Sequence, residues 1–263
     1  MTRRVFLCIL LTFLPARILH AADSAHNAVL LEENFDSAHN NAFAAIALKH
    51  KNITLIKGTG TDGSNAIRVA YVGTKRGSER VSLRYPLKQK VKQASLSFDV
   101  RFAKDFQWTY GGKLHGLGPK HPVTGGKQRQ ADRWSARITF QKEGRCATYL
   151  YDQDRSKKWG VGNISSATVF TKGRWHHVEL QLKLNDPHKA NGSARIFIDG
   201  KPVAVSENID FRQDYGSSTF IEQLLFSTFH GGSNTKWTPV NDKGEAITVY
   251  ADFDNFLVTS QIQ

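Results

Sequence analysis

Four short segments near the middle of the chain carry residue types that can bind a carboxylated sugar and move protons on it. Side chains two apart in a strand share one face, so Ser135 projects with Arg137, and Tyr149 projects with Tyr151. With Lys113, they can place two cations, a hydroxyl and two phenols on one surface. The segments are Gly111-Gly112-Lys113-Leu114, Ser135-Ala136-Arg137, Tyr149-Leu150-Tyr151 and Phe226-Ser227-Thr228-Phe229.

These groups match the needs of one reaction, the β-elimination of a uronic acid. In that reaction the C5 carboxylate is neutralised, the C5 proton is abstracted, and the C4 oxygen is protonated as it leaves. Lys113 and Arg137 can neutralise the carboxylate and stabilise the developing enolate charge. A tyrosine can be the base if nearby positive charge lowers its pKa from about 10, and it suits the acid role without such a shift. A phenolate base predicts an alkaline optimum.

The strand predicted over 134–141 separates a polar face from an apolar one. Its polar positions should face a substrate groove, and positions two apart are about 7 Å apart, comparable to one pyranose ring. Ser135 and Arg137 could then contact adjacent parts of one sugar. Arg137 could instead form an ion pair with Glu143 or Asp152, and Lys113 alone could be a solvated loop residue. The polar positions are Ser135, Arg137, Thr139 and Gln141.

Short alternating apolar segments recur along the chain and predict an all-β fold. Clusters of glycine, asparagine or proline separate most of them. Strands are predicted over 53–56, 66–72, 81–85, 94–102, 134–140, 147–151, 175–184, 194–198, 223–229 and 247–258, with a helical turn or two over 41–48. The stretch 175–201 is typical of two antiparallel strands and an Asp-Gly turn in laminin-G and concanavalin-like folds. We expect a β-jelly roll, a concanavalin A-like sandwich with a concave groove.

The N-terminus has the order of a secretory signal peptide. Arg3 and Arg4 precede an apolar stretch over 5–14 and small residues up to Ala22, and the apolar part is too short to span a bilayer. We expect a signal peptide over 1–22, one domain over 23–263, and a secreted or periplasmic product; a retained amphipathic anchor is the alternative. Cys8 lies in the leader, so Cys146 is expected as a buried single thiol.

The formal net charge of +13 favours a polyanionic partner, and three of the basic residues lie in the leader. No nucleic-acid-binding module is recognisable and nothing after the leader resembles a membrane span, so we expect a monomer whose partner is an acidic polysaccharide. No cofactor is expected. The acidic segments 32–36 and 252–256 could meet where the first and last strands pair and bind a structural calcium ion, or they could be solvated edge charge.

The order of the motifs over 102–256 resembles polysaccharide lyases of family 14, which include alginate-cleaving enzymes, with glucuronan lyases as a neighbouring possibility. The motifs are Gly112-Lys113-Leu114-x-Gly116-Leu117, Ser135-x-Arg137, Tyr149-x-Tyr151, Leu184-Asn185, Asn191-Gly192-Ser193 and Phe226-Ser227-Thr228-Phe229-x-Gly231-Gly232. The resemblance implies a jelly roll and an elimination reaction. It implies that Lys113, Arg137, Tyr149 and Tyr151 are catalytic and that Ser135 binds substrate.

The sequence departs from that family at three places near these motifs. His115 stands where the family usually has proline, His230 where it has an aromatic residue, and Thr139-Phe140-Gln141 where it has Met-Trp-Arg. We expect His115, Gln141 and His230 to be substrate contacts, and either histidine could be an alternative base with an optimum below neutrality. The sequence therefore predicts a lyase for alginate, polymannuronate or glucuronan, with a non-catalytic acidic-glycan-binding jelly roll as the alternative.

Overall fold

The computed structural model describes residues 28–37, 42–260 and 262, so the predicted signal peptide over 1–22 lies outside the described residues. Within them the chain forms two antiparallel sheets, one short α-helix, α1 (Ala42–Ala47), and three single 3-10 turns. The strands are β1 (Val29–Glu33), β2 (Ile53–Ile56), β3 (Ala66–Thr74), β4 (Gly77–Ser78), β5 (Val81–Val91), β6 (Gln93–Phe102), β7 (Gly112–Gly118), β8 (Ser135–Phe140), β9 (Cys146–Tyr151), β10 (Trp175–Lys183), β11 (Gly192–Ile198), β12 (Lys201–Ile209), β13 (Ile221–His230) and β14 (Thr248–Thr259).

The strand order accounts for the two layers. One sheet has the order β12-β11-β10-β6-β14-β3-β2, with β1 added to β14 and β4 to β3, and the other has the order β5-β13-β7-β8-β9. Alternate residues of β6 and β8, such as Phe98, Phe102 and Ile138, are buried between the sheets in one hydrophobic core. This two-layer antiparallel architecture confirms the predicted all-β jelly roll.

The turn between β11 and β12 confirms the Asp-Gly prediction. Asp199 and Gly200 have positive φ angles of 51° and 74°, the conformation that a two-residue hairpin turn requires. In contrast, β7 and β12 were not predicted as strands. Three glycines dilute the apolar pattern of β7, and β12 is an edge strand that contains Pro202 and exposed polar residues.

The acidic segments lie together, as predicted, because β1 pairs with β14 and places Glu33 opposite Phe256. Their carboxylates have protein partners: Glu33 accepts hydrogen bonds from the backbone N–H groups of Phe35 and Ala44, and Asp252 binds Arg68 and Arg101. No group of three or more histidine, cysteine or acidic side chains in the described ranges is arranged to hold a metal ion.

Two further findings concern the thiol and the membrane. Cys146 is a free, buried cysteine, and burial raises the pKa of its thiol to about 12, so it is not poised as a nucleophile. Among the described residues, no helix combines the length and apolarity needed to cross a bilayer.

Candidate active site

A β-bulge in β7 decides which of its side chains reach the outer face of the five-stranded sheet. Lys113 lies opposite Thr139 and Gly116 lies opposite Arg137, so Leu114 and His115 together face a single residue of β8, Ile138. Both intervening side chains turn into the core, and the outward alternation resumes one residue late.

This bulge makes the predicted substrate contact of His115 wrong. The imidazole is fully buried, 4.2 Å from the ring of Phe226 and 4.7 Å from that of Phe98 between centroids, and neither nitrogen has a hydrogen-bond partner. Burial holds the pKa of His115 well below its ordinary value. It is a neutral core residue that cannot reach a substrate on the outer face.

His230 is also buried in the core, contrary to its predicted role as a substrate contact. Its ring stacks on Phe106, with 5.2 Å between centroids, and its Nε2 donates a hydrogen bond to the carbonyl of Gln107 at 2.7 Å. Burial lowers the pKa of His230 to about 4, so it stays neutral at physiological pH. Neither of these histidines can serve as the base.

A cleft of about 540 Å³ lies on the outer face of the five-stranded sheet. Four of the eight residues singled out from the sequence line it together: Lys113, Arg137, Gln141 and Tyr149. No aspartate or glutamate is among its lining residues. The other lining residues are Arg80, Ser82, Gly112, Thr124, Gly125, Thr139, Trp159, Ser227, Phe229, Gly231, Gly232, Ser233 and Trp237.

Arg137 is held from below by Ser135. Its Nη1 donates to the Ser135 hydroxyl at 2.8 Å, and that hydroxyl donates to the carbonyl of Val123 at 2.7 Å. Ser135 is fully buried and does not line the cleft, so it orients the guanidinium and does not itself contact a substrate. No ion pair joins Arg137 to Glu143 or Asp152 in the described chain.

Gly116 lets the Arg137 side chain cross β7. A Cβ at this position would lie 2.8 Å from Arg137 Cγ and 2.1 Å from the carbonyl oxygen of Ala136. The guanidinium therefore reaches the cleft over a strand with no side chain in its way. Burial, and then the positive charge of Arg84, lower the pKa of Arg137 to about 10, and it remains charged at neutral pH.

Lys113 is largely withdrawn from water and sits on an aromatic ring. Its Nζ lies 3.0 Å from the centroid of the Tyr149 ring. Burial, and then the charges of Arg137 and Arg80, lower the pKa of Lys113 to about 6. The lysine is therefore not a solvated loop residue, and in the free protein near pH 7 its amine is mostly neutral.

Tyr149 is partly buried, and its phenol stays protonated. Burial, followed by a hydrogen bond with Tyr151, raises the pKa of Tyr149, whereas Arg137 lowers it by a smaller amount. The expectation that nearby cations would depress this pKa is thus wrong for the free protein, because the lost hydration outweighs them. A protonated phenol at the cleft is a proton donor.

Tyr151 lies beneath the cleft and does not line it. Its ring is fully buried, 5.7 Å from that of Tyr149 between centroids, and its hydroxyl accepts a hydrogen bond from the backbone N–H of Gly126 at 2.8 Å. The two phenols share a strand face, as predicted, but the loop that contains Gly126 covers the second one. Tyr151 therefore contacts Tyr149 and the loop.

Arg129 joins the two loops that wall the cleft, a role that no sequence motif indicates. The buried guanidinium donates to the carbonyls of Asp152, Lys157 and Trp159, and it lies 5.0 Å from the centroid of the Tyr151 ring. These bonds fix the segment that ends at Trp159, whose indole is 55% exposed at the edge of the cleft.

The jelly-roll fold and the cationic cleft define a polysaccharide lyase of the sandwich type. The model of the family Polysaccharide lyase 14 matches residues 63–253, most of the chain, and the protein belongs to this family. No curated protein sequence matches the chain. The structure therefore shows a family 14 fold whose cleft brings together a lysine, an arginine and a tyrosine.

Solved structures of related enzymes share the fold. The alginate lyase Aly36B is 24% identical, with 89% of this chain and 97% of that chain covered and a TM-score of 0.66. The alginate lyase vAL-1 from Chlorella virus is 18% identical, with 89% and 100% covered and a TM-score of 0.65. The endo-beta-1,4-glucuronan lyase from the fungus Trichoderma reesei is 17% identical, with 80% and 87% covered and a TM-score of 0.54.

Proposed function

We propose that this protein is an exported lyase that cleaves a polyuronate, either alginate rich in mannuronate or glucuronan, by β-elimination. One observation carries the proposal: Lys113, Arg137 and Tyr149 converge in a cleft that has cationic lining residues and no acidic one. A cleft of this charge attracts polyanions and has no carboxylate to repel them. Structures of Aly36B mutants contain an alginate trisaccharide and an alginate tetrasaccharide, which supports an acidic substrate here.

In the proposed reaction, Arg137 binds the C5 carboxylate. Its charge is fixed, and its position is set by Ser135 and by the absence of a side chain at Gly116. Buried guanidinium groups bind carboxylates through short, charge-assisted hydrogen bonds, and these strengthen as negative charge spreads onto the carboxylate in the enolate-like transition state. Arg137 thereby makes the C5 proton more acidic.

Lys113 is the proposed base and Tyr149 the proposed acid. The neutral Lys113 amine takes the proton from C5, the C4–O bond breaks as the C4=C5 double bond forms, and the Tyr149 phenol gives its proton to the departing oxygen. The directions of the two pKa shifts support this assignment over a phenolate base. After the product leaves, Lys113 releases its proton to water and Tyr149 takes one from water, which restores both groups.

The choice between mannuronate and glucuronate depends on C2, where the two sugars differ. Lys113, Arg137 and Tyr149 act at C4 to C6 and can serve either polymer. Gln141, whose amide donates to the Thr139 hydroxyl at 2.8 Å, lies along the same wall of the cleft and is our proposed contact to a neighbouring sugar hydroxyl. Family membership supports this catalytic function over the non-catalytic glycan-binding alternative.

The direct test is to incubate the chain from residue 23 onward with polymannuronate, polyguluronate and glucuronan. Elimination creates an unsaturated uronate that absorbs at ~235 nm, and the fragment that carries it is one water lighter than the corresponding hydrolysis product. We expect such products from at least one polymer, and Arg137→Gln should abolish them. No absorbance from any of the three, or fragments that all have the masses of hydrolysis products, would overturn the proposal. Export is tested separately, by N-terminal sequencing of the processed protein near Ala22.

A further inference from the structure

We propose that Arg80 and Arg84 bind the carboxylate of a second uronate, the neighbour of the one that reacts. This inference rests on the proposed function. It means that the enzyme binds the carboxylates of two successive sugars. The two arginines lie beside and on β5, the edge strand of the five-stranded sheet, and neither was singled out from the sequence.

The register of the sheet places Arg84 level with the catalytic groups. Arg84 lies opposite Leu225, Leu225 opposite Gly116, Gly116 opposite Arg137, and Arg137 opposite Tyr149. The two residues between Arg84 and Arg137 at this level of the sheet are Leu225 and Gly116, so neither of them carries a polar side chain. Neighbouring strands are about 4.8 Å apart, so three steps from β5 to β8 span about 14 Å, roughly two pyranose rings.

Alternation along β5 gives Arg80, Ser82 and Arg84 the same side of the sheet. Ser82 and Arg80 line the cleft, and the Arg80 guanidinium lies 5.6 Å from the centroid of the Phe229 ring, another lining residue. The cleft, the Arg80 guanidinium and the Phe229 ring therefore form one continuous surface that extends from Lys113 to the edge strand β5.

The charge of these two arginines has no acidic partner within the described part of the chain, although eight other lysine or arginine side chains there do pair with carboxylates. Their positive charge reaches the reaction centre, because Arg80 lowers the pKa of Lys113 and Arg84 lowers that of Arg137. Three guanidinium cations and a basic amine, gathered without an anion, favour a ligand that brings more than one negative charge. A chain of uronates has one carboxylate on every ring.

The test compares Arg84→Gln with wild-type enzyme on a series of oligouronates of increasing length and on the polymer. Arg84 is chosen because the group whose pKa it lowers is the Arg137 guanidinium, which stays charged at neutral pH. Its substitution therefore leaves the two groups that transfer protons, Lys113 and Tyr149, unchanged. We expect KM for the polymer and long oligomers to rise by about 5- to 10-fold, as for loss of one charged contact, with kcat within about twofold. On the shortest cleaved oligomer, which leaves this position empty, the variant should match wild type.

Two variants serve as controls. Arg195→Gln removes the same charge from the outer face of the other sheet, where Arg195 pairs with Glu207, and we expect no change in KM. Arg84→Lys keeps the charge and should restore most of the affinity. An equal effect of Arg84→Gln at every oligomer length, no effect at any length, or the same effect from Arg195→Gln would overturn the inference. If wild-type enzyme cleaves neither the oligomers nor the polymer, the proposed function itself fails; if it cleaves the polymer but no oligomer, an unchanged KM of Arg84→Gln for the polymer overturns the inference.

Discussion

The sharpest consequence of the site is that its activity should depend on the ionisation of Lys113 near pH 6. An amine with a pKa of about 6 is about 90% neutral at pH 7, whereas an ordinary lysine is about 0.03% neutral, so the environment raises the amount of free base by about 3,000-fold. We therefore expect kcat/KM to rise between about pH 5 and 7 and then to level off. This replaces the alkaline optimum expected for a phenolate base.

Substitution of Lys113 by arginine tests the same reasoning. A guanidinium keeps the positive charge but cannot release a proton, so Lys113→Arg should lower kcat by about 10² to 10⁴-fold at every pH. Lys142→Arg is the matched control, because Lys142 is exposed and its Nζ lies 3.8 Å from the centroid of the Tyr110 ring. A wild-type rise in kcat/KM centred above about pH 9, or near-normal kcat in Lys113→Arg, would refute the assignment of the base.

The same lysine should cost the protein stability. The unfolded chain holds this proton up to about pH 10.5, but the folded chain releases it near pH 6, so the unfolded state binds more protons between these values. The cost is therefore largest at pH 6 and below, and it declines as the pH rises toward 10.5. Lys113→Met should raise Tm by about 2 to 4 °C for each kcal/mol recovered, with a larger gain at pH 6 than at pH 9. A gain independent of pH would contradict this.

Three further expectations follow from the contacts around the cleft. Tyr149→Phe should lower kcat by about 10² to 10⁴-fold with little change in KM, as measured by initial rates, because only the phenolic hydroxyl that donates the proton is lost. Gly116→Ala should destabilise the fold by about 1 to 3 kcal/mol in urea unfolding and should also reduce kcat/KM, since a methyl group would collide with Arg137 and its strand. Arg129→Gln should raise KM more than it changes kcat and should increase proteolysis between Asp152 and Trp159, because three backbone carbonyls lose their shared donor.

The sequence predicted the fold well where strands alternate strongly and poorly where they do not. The hydrophobic periods of β6, β8 and β14 identify them directly, and the Asp199-Gly200 turn fixes one hairpin. Strand β7, which carries Lys113, has three glycines in seven residues and has no clear period. Those glycines are needed for close approach to neighbouring backbone and side chains, a requirement that exists only in the assembled sheet.

The sequence pattern predicts the face on which a side chain lies but not how deeply that side chain is buried, and this accounts for the errors at the site. Period two places Ser135 with Arg137 and Tyr149 with Tyr151, and the structure agrees, but a loop then covers one member of each pair. For His115 the expected substrate contact is wrong, because a bulge in β7 turns the side chain into the core and the sequence carries no sign of that bulge. Periodicity gives direction, whereas exposure depends on segments distant in sequence.

Depth also determines the chemistry, since burial is the first cause of the pKa shifts of Lys113, Arg137 and Tyr149. It moves the amine toward its neutral form and the phenol further into its protonated form, so a lysine and a tyrosine that would both be protonated in water become a base and an acid. The charges of Arg137 and Arg80 lower the pKa of Lys113 further. The charge of Arg137 also lowers the pKa of Tyr149, but by less than burial raises it. Opening the wall of the cleft that Arg129 holds in place should admit water and return the pKa values of Lys113 and Tyr149 toward normal. The rise in kcat/KM should then move to higher pH.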